Sequence, residues 1–439
     1  MGHLTTKGEY FALQQRLDMH PIGAPMHKEL IALLEELYSP EECRVAAAMP
    51  LRFASGRTIA GNAKLDEKTT EQILQTLVRK GLVVDLPKPS GKTVYYLNPT
   101  LLGFFEFTMM RVRDDIDQKK VAQHLWNYIH EDPDKAVFNM IGKGDTFIAR
   151  PLVHEDVLEP DVFSEVLDYE KASEVIANAG FWGEGLCYCR HVKRHLDEGC
   201  DKPEDHCLSL GFGAQYLVNS GHAKKIDKQR ALDVLANARE LDLVQMCDNA
   251  KKRPLFICNC CKCCCEMLDG LRTIPHSGKV VTSNYMAVID DDVCNGCGKC
   301  VKACPVNVIE LVAAEPTDQA PKRRKKAAVN TELCLGCGIC HRNCTFNAIA
   351  LKPIGQRTYT PDTTTEKLLM MAVEQGKLQH MIFDNQNKIS HRALGSILSG
   401  ILKLPPAKQL LARKQLRSKF VNMMLDTLSM TKESWIKKI

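Results

Sequence analysis

Cysteines are the residues of this chain whose number and spacing could do chemistry. Its 439 residues include 20 cysteines, and eight of these form two runs of the type C-x2-C-x2-C-x3-C. In such a run three thiolates on one tight loop can cap three irons of a [4Fe–4S] cubane, while the fourth cysteine ligates another cluster. The runs are Cys294, Cys297, Cys300, Cys304 and Cys334, Cys337, Cys340, Cys344.

This spacing predicts two clusters with crossed ligand sets. Zinc is the alternative ion, but tetrahedral zinc sites favour paired C-x2-C arms. Glycines inside each run let the loop close and turn amide N–H groups toward the sulfurs, which helps to set the potential. The expected sets are Cys294, Cys297, Cys300 and Cys344 for one cluster, and Cys334, Cys337, Cys340 and Cys304 for the other.

Residues 284–353 resemble a bacterial two-cluster ferredoxin domain. Eight cysteines are in register, and Pro305 follows the first run, although Thr345 follows the second. The resemblance implies a ferredoxin-like fold that transfers electrons through two [4Fe–4S] clusters. The link between the runs carries five consecutive basic residues, 322–326. They could dock an acidic redox partner or form a solvated loop tip.

Ten more cysteines form a second rich region, and six of them fall within eight residues. Neighbouring side chains in an extended segment point in opposite directions. We therefore expect Cys260 and Cys261, or Cys263 and Cys264, to serve different sites or to leave thiols free. The best split places Cys187, Cys189, Cys200 and Cys207 on one site, and Cys258, Cys261, Cys264 and a neighbour, from Cys260, Cys263 or Cys265, on another.

This region is expected to bind one or two additional Fe–S clusters, with a structural zinc site as the alternative. Its pattern CYCRH followed by CNCCxCCC resembles a module in iron–sulfur proteins of anaerobic microbes. Arg190 and His191 would place positive charge near a cluster and raise its potential. His195 and His206 are interpreted as neighbours of the sites rather than ligands.

Bulk composition narrows the class of protein. The net charge is +5, which is small for a dedicated nucleic-acid binder. The first residues lack the pattern of a signal peptide, and no apolar run of about 18 residues predicts a membrane span. Clustered cysteines in such a chain favour metal binding over disulfides, so we expect a cytoplasmic protein of an oxygen-poor cell.

The elements around the cysteines predict an α+β multidomain protein. The expected parts are a winged-helix-like domain at 1–105, a Cys-rich and mainly helical domain at 106–283, the ferredoxin-like domain at 284–353 and a basic helical segment at 354–439. The first part shows a helix at 67–80 with a hairpin after it. With 12 basic and 11 acidic side chains in the first hundred residues, DNA binding is disfavoured against protein docking.

The C-terminal segment carries 14 basic and 6 acidic residues. Pro405 and Pro406 should end one helix, and 407–430 has amphipathic spacing. This helix could touch a membrane surface peripherally, or pack on the cluster domains with a solvated basic face.

The sequence therefore predicts an electron-transfer protein that is a subunit or partner of an anaerobic redox complex. Two alternatives stay open: an iron–sulfur reductase with a catalytic cluster in the middle domain, and a redox-sensing winged-helix transcription regulator. Whether the chain is an oxidoreductase itself or an electron-transfer subunit of one is left open, and no catalytic residue is assigned.

Overall fold

The computed structural model describes residues 3–88, 90–132, 134–142, 144–158, 166–273, 282–355, 357–383 and 389–404. Helices and antiparallel sheets are mixed throughout these ranges, in agreement with the α+β class. No helix within them is both long and apolar enough to cross a membrane.

The N-terminal part combines five helices with a three-stranded antiparallel sheet of order β1-β3-β2. Asp66 caps helix α5 by accepting from Thr69 N at 2.8 Å, and Gly81 ends it with a φ of 79°. That residues 1–105 form a winged-helix-like domain stays a prediction. The elements are α1 (His3–Asp18), α2 (Lys28–Leu37), α3 (Pro40–Ala48), β1 (Ala54–Ser55), α4 (Gly56–Ala63), α5 (Glu67–Lys80), β2 (Val83–Pro87) and β3 (Thr93–Leu97).

The middle part is built on a six-stranded antiparallel sheet of order β4-β8-β9-β6-β5-β7. Its strands are β4 (Ala149–Pro151), β5 (Trp182–Gly185), β6 (Cys207–Leu210), β7 (Lys224–Ile226), β8 (Val244–Asp248) and β9 (Phe256–Cys260). Its helices are α6 (Phe105–Met109), α7 (Gln118–His130), α8 (Ala136–Gly142), α9 (Ala172–Ala177), α10 (Tyr188–His195), α11 (Gly211–Asn219), α12 (Lys228–Glu240) and α13 (Glu266–Thr273).

The prediction of a mainly helical cysteine-rich domain did not include this sheet. Helices α11 and α12 pack on the sheet. The strands have only three to five residues, and runs that short do not display the period of two that separates a strand from a helix. Strand β5 also contains two glycines, which are depleted in strands.

The part that holds the two cysteine runs has two pairs of antiparallel strands and two short helices. Strand β10 (Tyr285–Ile289) pairs with β13 (Ile349–Pro353), and β11 (Ile309–Ala313) pairs with β12 (Lys325–Val329). Each cysteine run begins after a strand, and its third cysteine lies in a short helix, either α14 (Lys299–Ala303) or α15 (Ile339–Arg342). The first and last strands, β10 and β13, pair with each other, and so do the two middle strands, β11 and β12. This arrangement gives the segment its pseudo-two-fold symmetry.

Three helices follow: α16 (Thr364–Gln375), α17 (Leu378–Ile382) and α18 (Ile389–Lys403). Helix α16 is fixed to the six-stranded sheet because buried Lys367 pairs with the Asp248 carboxylate and donates to Ile148 O at 3.1 Å. The expected break at Pro405 and Pro406 and the amphipathic helix over 407–430 lie outside the described residues.

Candidate metal centres

Two cavities are lined by the eight cysteines of the repeated runs. Each cavity combines three cysteines of one run with the fourth cysteine of the other, which is the grouping that crossed ligand sets require. The first contains Cys294, Cys297, Cys300 and Cys344, and the second Cys304, Cys334, Cys337 and Cys340.

Glycine lets each loop close over its cavity. A Cβ atom at Gly296 would lie 2.0 Å from Lys325 O, and one at Gly336 would lie 2.1 Å from Tyr285 O. Both glycines have positive φ, 72° and 67°, so any other residue would be strained at these positions. Each loop is thus folded directly against the strand that precedes the other cysteine run.

Backbone amides donate to the cysteine sulfurs. The Sγ atom of Cys304 accepts from Val308 N at 3.4 Å, and that of Cys344 accepts from Ala348 N at 3.3 Å. Donors of this kind stabilise thiolates that bind an iron–sulfur cluster. An all-cysteine donor set with amide support therefore fits a [4Fe–4S] cluster in each cavity.

Burial makes four of these thiols hard to ionise without metal. It raises the pKa of Cys337 to about 12 and also raises the pKa values of Cys300, Cys334 and Cys340. Cluster binding must therefore release protons from this site, because thiolates rather than thiols ligate iron.

The basic run at 322–326 is only partly exposed: Lys322, Arg324 and Lys325 are exposed, and docking of an acidic partner by them stays a prediction. Arg323 is 8% exposed, and its guanidinium donates to Glu315 O at 2.6 Å and to Cys294 O at 3.1 Å. Lys326 pairs with Asp291. The run therefore braces the loop of the first cavity, and its exposed charges are fewer than the sequence suggests.

The ten remaining clustered cysteines form two groups. In the four-cysteine group, defined as Cys200, Cys261, Cys263 and Cys264, all Sγ atoms lie within 4.8 Å of one another. The Cys200–Cys261 sulfur distance is 3.9 Å, and that of Cys263–Cys264 is 3.7 Å. This compact set could hold a metal ion directly.

The six-cysteine group forms an open chain of contacting thiols. Hydrogen bonds from Cys207 and Cys260 lower the pKa of Cys258, and those from Cys189 and Cys260 lower the pKa of Cys265. Amides at the start of α13 also donate to the Cys265 sulfur. The group consists of Cys187, Cys189, Cys207, Cys258, Cys260 and Cys265.

These groups correct the split expected from the sequence. Cys200 lies with Cys261 and Cys264, whereas Cys258 lies opposite Cys207 as its cross-strand partner on β9 and β6. Cys260 and Cys261 do separate, as alternation predicts, because Cys260 is the last residue of β9. Cys263 and Cys264 remain together because they follow in a turn rather than in a strand.

Arg190 lies buried between the two groups. Its Nη1 donates to Asn259 O at 3.0 Å, and the guanidinium also hydrogen-bonds to the Cys261 thiol. Burial opposes its charge, but the neighbouring thiols of Cys187 and Cys261 outweigh that effect and raise the guanidinium pKa. A buried cation beside several thiols fits a negatively charged metal–thiolate centre.

The histidines among these cysteines have other partners. His191 bonds to Met109 O at 2.7 Å, and burial lowers its pKa, so it does not supply the positive charge expected of it. His195 contacts His191 at 3.1 Å, and His206 contacts the side chain of Asn237 at 2.7 Å. Of Arg190 and His191, which were both expected to supply positive charge, only Arg190 acts as a cation.

The middle part and the ferredoxin-like part share one interface. Arg272 on α13 donates to Lys262 O at 3.0 Å and to Pro305 O at 2.9 Å. These two bonds join the segment 258–265, which contributes cysteines to both groups, to the end of the first run. On the other run, His154 N donates to Cys337 O at 3.1 Å. Sequence reasoning missed both contacts, since nothing in the local pattern signals them.

Comparison with known proteins identifies one segment of the chain. Residues 293–348 match the family described as a 4Fe-4S dicluster domain. Searches of curated proteins and of solved structures gave no significant match. The matched residues span both cysteine runs and both cavities. Residues 293–348 are therefore a ferredoxin-type segment within a larger protein, and this segment binds two [4Fe–4S] clusters.

Proposed function

We propose that this protein relays electrons between its two ferredoxin-type clusters and a third metal centre held by the six-cysteine group. The proposal rests on one observation: the middle part and the ferredoxin-type segment share a packed core. Cys260 and Cys265 pack in one hydrophobic cluster with Cys300, Cys304 and Cys340 of the ferredoxin-type segment. Groups that meet in one packed core are separated by protein atoms rather than by bulk water, which favours electron exchange.

The crossed ligand sets given by the two cavities are part of the proposal. Cys297 is exposed while Cys337 and Cys340 are buried, so the first cluster is the more accessible of the two. A redox partner protein would deliver or collect electrons at that cluster. The second cluster, bound in part by Cys304, would then pass electrons inward. This order makes the chain a subunit or partner of a larger, anaerobic redox system.

The N-terminal part serves this relay as a scaffold rather than as a DNA reader. The exposed side of α5 carries Glu67 and Glu71 against Lys68 and Arg79, a neutral balance that gives phosphate no net attraction. Tyr216 of the middle part donates to Val83 O on β2 at 3.0 Å, so the sheet of the N-terminal part packs inward.

The test is a redox titration of the anaerobically purified full chain, followed by EPR. Cys258→Ser should remove one redox transition and leave the two ferredoxin clusters reducible. Cys247→Ala is the matched control, because Cys247 is a buried cysteine of the same sheet that belongs to neither group. If Cys258→Ser retains every transition of the wild type, the six-cysteine group is structural and the relay is limited to two clusters.

A further inference from the structure

A large cavity lies beside the six-cysteine group. Its volume is about 730 Å³, which is in the range that accommodates cofactor-sized or drug-sized molecules. Its wall combines the N-terminal sheet, the six-stranded sheet and helix α16. These three parts are distant in sequence, so no local sequence motif predicts the chamber.

The wall of this chamber is mostly apolar and aromatic. Phe53 stacks on Tyr96 with ring centroids 5.2 Å apart, and Phe107, Phe212 and Phe256 add further rings to the wall. Such a surface favours a flat, ring-containing molecule, because aromatic side chains stack on other rings.

Polar groups on the wall are few and already partnered. Asp248 pairs with Lys367 and accepts from Leu255 N and Thr364 Oγ1, both at 3.0 Å. The Glu106 carboxylate accepts from Gly103 N at 3.0 Å. Since the buried Asp248 and Lys367 charges balance each other, the largely apolar chamber favours a neutral molecule over an ion.

One hydroxyl on the wall can recognise a carbonyl. The Tyr96 OH lies 2.7 Å from His20 Nε2, and burial lowers the pKa of this histidine to about 3, which keeps the imidazole neutral. The pair therefore presents polar hydrogens and lone pairs without a net charge. A neutral ring that carries carbonyl oxygens matches this set.

Two cysteines of the six-cysteine group lie on the same wall. Cys207 and Cys258 are cross-strand partners on β6 and β9, and both line the chamber. A molecule bound there would adjoin the metal centre without intervening solvent. Because the chamber is apolar and next to a redox site, its occupant is best placed to exchange electrons.

We propose that the chamber binds a neutral carbonyl-bearing conjugated ring of the quinone class and reduces it at the six-cysteine centre. This inference rests on the proposed relay. The quinone gains two electrons, supplied singly through the two ferredoxin-type clusters, and two protons from solvent. Its two C=O groups become two C–OH groups, so that Q + 2e⁻ + 2H⁺ gives QH₂, and the redox partner of the first cluster is the source of the electrons.

Binding is tested first, with 2-methyl-1,4-naphthoquinone as the probe and oxidised full-length holoprotein in equilibrium dialysis. Thr365→Trp fills the chamber from α16 and should weaken binding at least tenfold, and Leu368→Trp does the same from the same helix. Glu240→Trp places the same indole on an exposed position of α12 and should leave binding unchanged. Equal affinity in wild type and both filled variants would overturn the proposed chamber site.

Electron transfer is tested separately by mixing prereduced protein with excess probe. Wild type should reoxidise with a rate that saturates with probe concentration, and Cys258→Ser should lose this saturable phase while it still binds the probe. Saturable reoxidation at the wild-type rate in Cys258→Ser would refute reduction at the six-cysteine centre. Failure of the relay itself would show as a missing third redox transition, with the dialysis result unaffected.

Discussion

The geometry of the four-cysteine group predicts a single bound metal ion rather than a cluster. One ion with four bonds to sulfur of about 2.3 Å in a tetrahedron places its sulfurs about 3.8 Å apart. The two sulfur distances observed, 3.9 Å for Cys200–Cys261 and 3.7 Å for Cys263–Cys264, agree with that value. A cubane binds its four thiolates to four separate irons, which spreads them further apart.

The perturbation is Cys200→Ser, with Cys43→Ser as a control at a buried cysteine outside both groups. Cys200→Ser should lower the metal content of the purified protein by about one ion per chain, of zinc or iron, with no loss of acid-labile sulfide. Its melting temperature should fall, because the free energy of binding a structural ion adds to that of folding. Elemental analysis with sulfide determination measures both quantities.

The same measurement can refute the single-ion prediction. A loss of about four irons together with sulfide in Cys200→Ser would mean that a [4Fe–4S] cluster occupies this group. The single-ion reasoning from sulfur distances would then be wrong.

Three further predictions follow from individual side chains. Cys304→Ser should damage the cluster of the second cysteine run and spare the cluster of its own run, as resolved by EPR; loss of the opposite cluster would contradict the crossed sets. Arg190→Met should lower the potential of the six-cysteine centre, because removing a buried cation disfavours the more negative reduced state, by about 60 mV for each tenfold change in relative stability. An unchanged or higher potential in a redox titration would refute that role. Burial raises the pKa of Glu106 from 4.5 to about 7, so its contribution to stability is complete below pH 4.5 and is lost as pH rises through 7. Glu106→Gln should therefore gain about 1–3 kcal/mol over wild type between pH 5 and 8 in urea unfolding, and a pH-independent difference would contradict the shift.

The sequence predicts best where a motif is local. The two cysteine runs carry their own spacing and glycines, so the ferredoxin-type segment and its clusters could be recognised without a structure. Helix α5 could be placed for the same reason, since Asp66 and Gly81 mark its ends. In each case the determining residues lie close together in the sequence.

Prediction was weaker where distant residues meet. Cys200 joins Cys261 across 61 positions, and Cys207 joins Cys258 through strand pairing. The register of the six-stranded sheet decides the second pair, and its strands are too short to display a period. Cys200 and Cys261 both lie outside the strands, so no periodicity could pair them. The large chamber is also invisible locally, because Phe53, Phe212 and Thr365 come from different parts of the chain.

The relay itself is tested most directly by electron redistribution within one chain. Anaerobic holoprotein would receive less than one electron per chain in a rapid pulse, with EPR spectra recorded at several protein concentrations by freeze-quenching. We expect the electron to appear first on a ferredoxin-type cluster and then on the six-cysteine centre, at a rate independent of protein concentration. A rate proportional to concentration, or an electron that never leaves the two ferredoxin-type clusters, would contradict the relay.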